Sequence, residues 1–96
     1  LILTEFGRTP QIGPGAGRDH FPNCYSVAFA GGGIAGGRTY GRSDRLGAAP
    51  ADAPVTPADL HATVFRSLGI DPKTTVHDLD GRPFPLCEGT PLPIFG

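Results

Sequence analysis

The apolar positions of the chain predict short strands and a single helix. Residues 1–4 form a largely apolar run of the kind found in a strand that is buried on both faces of a sheet. Residues 25–30, which are rich in aromatic and β-branched side chains, predict a second strand, and residues 38–40 are its expected partner. The glycines at 31–33 would close this pair as a glycine-rich β-hairpin.

The clearest local prediction is a helix over residues 57–68. Thr56 is a good N-cap, a proline follows at the first helical position, and Asp59 stands where the acid of a capping box reaches back to the cap. Gly69 is the left-handed residue expected after the last turn, in a Schellman-type close. One apolar stripe along the helix predicts its buried face. That stripe consists of Leu60, Val64, Phe65 and Leu68.

The remaining segments predict loops and turns. Residues 11–22 form a long glycine-rich loop, and loops of this length are usually functional or disordered. Residues 42–56 predict an irregular surface crossing with few large side chains. Asp80 and Gly81 predict a two-residue hairpin turn, and the proline-rich residues 85–96 predict an edge strand or coil.

Composition and charge narrow the class of protein. Fifteen glycines and eleven prolines in 96 residues raise the question of disorder. The short apolar blocks between them are not typical of disordered chains, so a folded, loop-rich chain is expected. The formal net charge of −1 gives no field that would recruit nucleic acid, and no stretch is apolar enough for a transmembrane or signal segment. Cys24 and Cys87 fit no zinc motif, which leaves one disulfide or two small buried thiols.

The opening of the chain bears on its domain organisation. The chain contains no methionine and opens directly inside the first predicted strand. We therefore expect residues 1–96 to be a single C-terminal segment of a larger domain, whose sheet neighbours belong to the upstream part of the same polypeptide.

Five side chains near the first predicted elements are candidates for a functional site. Glu5 ends the first strand, and open α/β sheets bind ligands outside the carboxyl ends of their strands. The alternative is a solvated acid or an ion-pair partner for Arg8. Asp19 and His20 are suitable ligands for zinc or manganese, but Asp19 would equally orient the imidazole, and His20 would equally serve as a general base. Arg8 and Arg18 match a tetrahedral oxyanion such as phosphate or sulfate.

Other motifs favour structural roles. Residues 31–36 satisfy the pattern G-x-G-x-x-G, but no helical pattern follows, so a glycine turn is expected rather than a dinucleotide site. His61 is expected at the edge of the helix stripe, and His77 lies in a turn-rich segment. No serine stands in a G-x-S-x-G nucleophile elbow, so a self-contained hydrolase is not expected.

Four sequence blocks together resemble a known family. The blocks are LILTEFGRTP at 1–10, GRDHFP at 17–22, AGGGIAGGRTYG at 30–41, and DLHATVF at 59–65 followed by LGI at 68–70. Their order resembles the bacterial domain of unknown function 1501, whose members look like relatives of the alkaline phosphatase and sulfatase superfamily. The resemblance covers nearly the whole chain, but only the C-terminal portion of a full-length member.

The resemblance implies a fold and a site. The fold would be an α/β/α sandwich around a mostly parallel sheet, with one or two metals at the strand ends. Glu5 would stand where relatives place a metal-binding Asp, and His20 where they place a later metal-binding His. Asp19 would orient His20 or be an added ligand, and the metal would be zinc, manganese or calcium. Many relatives carry a His at the position of Phe6, so this site would lack one imidazole.

The resemblance also implies a function. The expected reaction is the metal-dependent hydrolysis of small phosphate or sulfate esters, with an upstream nucleophile and with arginines that stabilise developing charge. The alternative is a non-catalytic exported binding or surface protein that keeps the fold, and Phe6 is the residue that favours it. A periplasmic or cell-surface location is implied in either case.

Overall fold

The computed structural model describes residues 1–96, which divide into two compact units. The hairpin unit comprises residues 1–30 and 37–54, and the helix unit comprises residues 31–36 and 55–96. Together they contain one helix and three two-stranded antiparallel sheets. The coarse prediction of a mixed α/β chain is therefore confirmed.

Two short strand pairs form the hairpin unit. Strand β1 (Gly7–Arg8) pairs with β2 (His20–Phe21), and β3 (Arg42–Ser43) pairs with β4 (Pro50–Asp52) through a bulge. The predicted irregular crossing at 42–56 thus contains a strand pair. No residue of this unit is buried.

The long loop between β1 and β2 is itself an ordered hairpin end. The Gly13 N–H donates to the Gly17 carbonyl at 2.8 Å, and the Ala16 N–H donates to the Gly13 carbonyl at 3.1 Å. These two bonds enclose a three-residue turn whose last residue is left-handed, and Ala16 accordingly has φ +57°. Left-handed backbone normally favours glycine, so this alanine carries local strain.

The strands predicted over 1–4, 25–30 and 38–40 are not formed by this chain. Residues 1–4 and 25–30 meet only at a single antiparallel bridge between Ile2 and Ala28, and residues 38–40 are irregular. The predicted glycine-rich β-hairpin is therefore wrong. Gly31, Gly32 and Gly33 all have positive φ, and this left-handed turn instead leads Ile34 to a bridge with Phe95 in the helix unit.

The helix is formed as its local signals predict. Helix α1 spans Pro57–Ser67, with Leu68 as the C-cap rather than a helical residue. The Thr56 hydroxyl accepts from the Asp59 N–H at 3.2 Å, and the Asp59 carboxylate accepts from the Thr56 N–H at 2.9 Å, which completes the capping box. The Ile70 and Gly69 N–H groups donate to the carbonyls of Phe65 and Arg66 in a Schellman close.

The buried face of α1 is not the predicted stripe. Ala62 and Thr63 are the helical residues without exposed surface, whereas Leu68 is 68% exposed. The reason is that the C-terminal tail, not a sheet, covers the helix. Thr63 Oγ1 donates to the Asp59 carbonyl at 2.6 Å and accepts from the Leu92 N–H at 2.9 Å.

The tail contacts the first turn of α1 as well. The Thr90 N–H donates to Asp59 Oδ1 at 2.9 Å, and the Cys87 thiol donates to the Ala58 carbonyl at 3.3 Å. A Cβ on Gly89 would overlap that same carbonyl, so the tail passes the helix where only glycine fits. Cys24 and Cys87 are both free, half-buried thiols.

The third strand pair closes the helix unit. Strand β5 (Thr75–His77) pairs with β6 (Pro83–Pro85). The turn between them has three residues rather than the predicted two, because the Asp78 N–H donates to the Arg82 carbonyl and the Gly81 N–H to the Asp78 carbonyl. Gly81, at φ +78°, takes the left-handed place that Ala16 takes in the other hairpin. The chain's only helix, at 11 residues, is too short to cross a membrane.

Candidate functional site

The pairing of β1 with β2 brings the two ends of the glycine-rich loop together. Arg8 lies opposite His20, and the ladder continues where the Thr9 N–H donates to the Asp19 carbonyl at 3.0 Å. Gly7 permits this geometry, since a Cβ there would lie 2.7 Å from the Tyr25 Cβ. Two of the residues singled out from the sequence, Arg8 and His20, are therefore neighbours.

An aromatic stack forms beside this ladder. The rings of Phe6 and His20 have centroids 3.9 Å apart and planes inclined by 26°. The Arg8 guanidinium carbon lies 5.8 Å from the Phe6 centroid, within the range of a cation–π interaction. We call Phe6, Arg8 and His20 the Phe6 stack. His20 and Arg8 are exposed and Phe6 is half-buried, so a ligand in solution can reach the two polar side chains.

The two arginines have different surroundings. Arg18 Nη1 donates to the carbonyls of Thr9 and Pro10 at 2.8 and 2.7 Å, which ties the base of the loop together. Arg8 Nη1 makes a single long bond of 3.4 Å to the Arg18 carbonyl. Because hydrogen bonds beyond about 3.2 Å are weak, the Arg8 guanidinium keeps more of its donors available for an anion than Arg18 does.

The two candidate acids have exposed, uncommitted carboxylates. Glu5 lies in a bend directly before Phe6, and Asp19 is joined to Thr9 through its main chain. The expected alternative of an ion pair between Glu5 and Arg8 is not formed. The two ion pairs in the chain both belong to Arg82.

The donors in this chain do not make a metal centre by themselves. No three side chains among the histidines, cysteines, aspartates and glutamates lie close enough together to hold a metal ion. Glu5, Asp19 and His20 share the hairpin unit but do not form such a cluster. Their role as metal ligands in an intact protein stays a prediction, and it requires donors from outside this chain.

The contact between Phe6 and His20 was not anticipated from the sequence. The two residues are brought together by the hairpin whose turn comprises residues 14–16. The Pro14-Gly15 pair in that turn is a recognised turn signal, and centring a hairpin on it would have indicated the pairing of β1 with β2. His61 and His77 are both exposed and lie outside the hairpin unit.

The comparisons with known proteins give one match. A family model described as a protein of unknown function, DUF1501, matches residues 1–93. The chain belongs to the DUF1501 family. In this DUF1501 chain the match includes the hairpin unit, the Phe6 stack and α1. Searches of the curated proteins and of the solved structures found no match.

Proposed function

We propose that this DUF1501 chain is the C-terminal segment of an alkaline-phosphatase-like α/β/α hydrolase that cleaves phosphate or sulfate esters. The nucleophile would come from the upstream part of the same polypeptide. The contribution of this chain would be the Phe6 stack, with Arg8 as the contact for the anionic ester. An exported location, periplasmic or at the cell surface, fits the resemblance of the sequence blocks.

The pairing of Arg8 with His20 is the observation that carries this proposal. A guanidinium is a suitable donor for two oxygens of a phosphate or sulfate group. A neutral imidazole beside it can accept a proton from the attacking group, and the imidazolium that results can give that proton to the leaving group. The Phe6 ring holds the plane of the imidazole, which keeps the two groups on one side of the ladder.

The hydrolysis we propose is metal-dependent. A metal centre of zinc, manganese or calcium would need donors beyond Glu5, Asp19 and His20, because these three form no cluster. Within this chain, Arg8 is assigned contact with the substrate anion and His20 the handling of a proton.

A second function is favoured by a specific observation. Phe6 packs its ring against His20, and this stacking suits a non-catalytic protein that binds an anionic ligand. In this alternative Arg8 would hold the ligand, and no bond would be cleaved.

The experiment separates the two functions in the intact protein. Hydrolysis of p-nitrophenyl phosphate and p-nitrophenyl sulfate is measured for the wild type, for His20→Ala and for the matched control His61→Ala, which also removes an exposed imidazole. The hydrolase proposal expects His20→Ala to lose most of kcat while His61→Ala keeps it. Inorganic phosphate and sulfate binding is measured for Arg8→Ala and for the control Arg38→Ala.

Each pattern of results decides between the proposals. Anion binding that depends on Arg8, without any ester hydrolysis, would establish the non-catalytic function. Equal losses in His20→Ala and His61→Ala would show that His20 has no special role. Intact hydrolysis and anion affinity in both Arg8→Ala and His20→Ala would contradict the proposed site.

A further inference from the structure

Strand β5 has one edge that bonds to β6 and one edge that is unpaired. The Asp78 N–H donates to the Arg82 carbonyl at the end of this hairpin. Main-chain polar groups of successive residues in a strand point to opposite edges, so the even-numbered residues of β5 face β6. The N–H and carbonyl groups of Thr75 and His77 therefore point to the outer edge, where no other segment bonds to them.

The outer edge of β6 is closed to pairing, in contrast to that of β5. Pro83 lies opposite His77 in the register, and Pro85 lies opposite Thr75. These prolines have no N–H, so the outer edge of β6 offers no donor. Strand β5 carries neither a proline nor an acidic or strongly basic side chain, and its three residues are all exposed. Such an edge is a template for pairing with another strand.

One face of the hairpin limits which strand can be added. Val76 lies opposite Phe84, so the two side chains share a face, and they are 43% and 48% exposed. An added strand would extend this apolar row if it places an apolar residue beside Val76. Strand β5 of a second copy meets this requirement with its own Val76.

Antiparallel pairing of two copies about Val76 satisfies the free edge completely. In this register Thr75 of each copy lies opposite His77 of the other, so four main-chain hydrogen bonds form between the copies. The same patch is used on both copies, which makes the contact two-fold and isologous. The outer edges of the resulting four-stranded sheet are both β6 strands closed by prolines, so the assembly ends at two copies.

The charges beside β5 are complementary in this arrangement. Antiparallel pairing brings the turn before β5 of one copy beside the hairpin tip of the other. Lys73 in that turn has no ion pair within the chain, and the tip carries Asp78 and Asp80. Asp71 in the same turn would lie beside Arg82 of the second copy. This complementarity favours a second copy over an unrelated strand as the occupant of the edge.

We infer that this protein forms a two-fold dimer through antiparallel pairing of β5 with β5 of a second copy. The main-chain groups of Thr75 and His77 join the copies, the two Val76 side chains meet at the two-fold axis, and Lys73 contacts the acids of the opposite tip. The dimer does not depend on the proposed ester hydrolysis.

Sedimentation velocity of the intact protein over a dilution series measures the association. We expect monomer and dimer and no larger species. Thr75→Pro should raise the Kd of the dimer at least about tenfold, because each copy loses one donor at the edge. Thr75→Val is the matched control, since it keeps the N–H and should keep the Kd. The Thr75 N–H makes no bond within the hairpin, so far-UV circular dichroism should show that Thr75→Pro is folded.

A cysteine at the two-fold axis tests the register independently. Residues directly opposite in a non-hydrogen-bonded antiparallel pair have Cα atoms about 4.5 Å apart, which is within the range of a disulfide. The native cysteines, Cys24 and Cys87 among them, are first replaced by serine. Oxidation of Val76→Cys should then give a covalent dimer. Leu46→Cys should stay monomeric, although Leu46 is the more exposed residue at 69%.

The other outcomes would overturn the inference. A protein that stays monomeric at all concentrations would do so, and slow hydrogen exchange of the Thr75 amide in that monomer would show that another strand of the same polypeptide occupies the edge. Equal Kd values for Thr75→Pro and Thr75→Val, or equal cross-linking of the two cysteine variants, would place any association elsewhere. A dimer that Thr75→Pro weakens but that hydrolyses no ester would refute the proposed hydrolase and leave this interface standing.

Discussion

Replacing Thr63 with valine tests whether one hydroxyl group joins α1 to the tail. Thr63 is fully buried, and its Oγ1 both donates to the Asp59 carbonyl and accepts from the Leu92 N–H. Valine has the same shape but offers neither a donor nor an acceptor. The substitution therefore removes the two hydrogen bonds with little change in packing volume.

The expected cost follows from the group that loses its partner. The Asp59 carbonyl keeps its place in the helical hydrogen-bonding pattern, whereas the Leu92 N–H loses the hydroxyl acceptor in a buried position. Leaving one buried donor unpaired costs about 1–3 kcal/mol, so we expect the free energy of unfolding to fall by about 2 kcal/mol. Thr63→Ser keeps the hydroxyl and loses one methyl, at a cost of about 1 kcal/mol.

Urea unfolding followed by circular dichroism at 222 nm measures these differences, with Thr75→Val as the matched control on an exposed strand. The Leu92 amide should exchange faster in Thr63→Val and stay protected in Thr63→Ser. A Thr63→Val variant as stable as the wild type, with Leu92 still protected, would refute the reasoning. A larger loss in Thr63→Ser than in Thr63→Val would show that packing, not hydrogen bonding, joins the tail to the helix.

Three further predictions follow from the other local features. The hydrogen bond from the Thr56 hydroxyl is the main cause of the lowered pKa of Asp59. The ionised Asp59 carboxylate therefore stabilises the fold above the ordinary aspartate pKa near 4, and this stabilisation is lost as the pH falls through the lower pKa of the folded state. Melting curves between about pH 2 and 6 should show a smaller acid-induced drop in Tm for Asp59→Asn than for the wild type. Ala16→Gly should stabilise the chain by about 0.5–1 kcal/mol and Gly81→Ala should destabilise it by at least about 1 kcal/mol, because each residue occupies the left-handed position of its own three-residue turn. Changes of the same sign in the free energy of unfolding, measured with urea, would contradict this. Phe6→His adds the imidazole that the family resemblance implies at this position, so on the proposal of a metal-dependent hydrolase the intact protein should retain more zinc after dialysis, and unchanged zinc content would favour the non-catalytic alternative.

The features predicted best from the sequence are those that depend only on residues close together in the chain. The capping box at Thr56 and Asp59 and the close at Gly69 involve residues only a few positions apart, so the bounds of α1 were correct to within one residue. The left-handed glycine at 81 was likewise foreseen as part of a turn, although the turn has one more residue than expected.

Features that depend on distant partners were predicted poorly. Residues 25–30 have the composition of a strand, but a strand needs a neighbour to pair with. Within this chain the pairing is limited to the single bridge between Ile2 and Ala28. The helix stripe failed for a related reason. Which face of α1 is buried depends on where the tail crosses it, and Gly89 and Leu92 fix that crossing from far along the chain.

The candidate site was likewise predicted in part: its residue types could be read from the sequence, but its side-chain contacts could not. Residue types alone pointed to five candidates, Glu5, Arg8, Arg18, Asp19 and His20, and the hairpin brings Arg8 and His20 together. The stacking of Phe6 on His20 and the use of Arg18 as a tie for loop carbonyls depend on side-chain geometry, which residue spacing does not encode.

The hydrogen bond from the Leu92 N–H to Thr63 has a consequence for how the chain is made. Leu92 follows Thr63 by 29 residues, so at a synthesis rate of about 5–20 residues per second its arrival takes roughly 1.5–6 seconds. During this interval the nascent helix has no cover on that side. Its end caps need no later residue, so they are the interactions that can support the helix before the tail arrives.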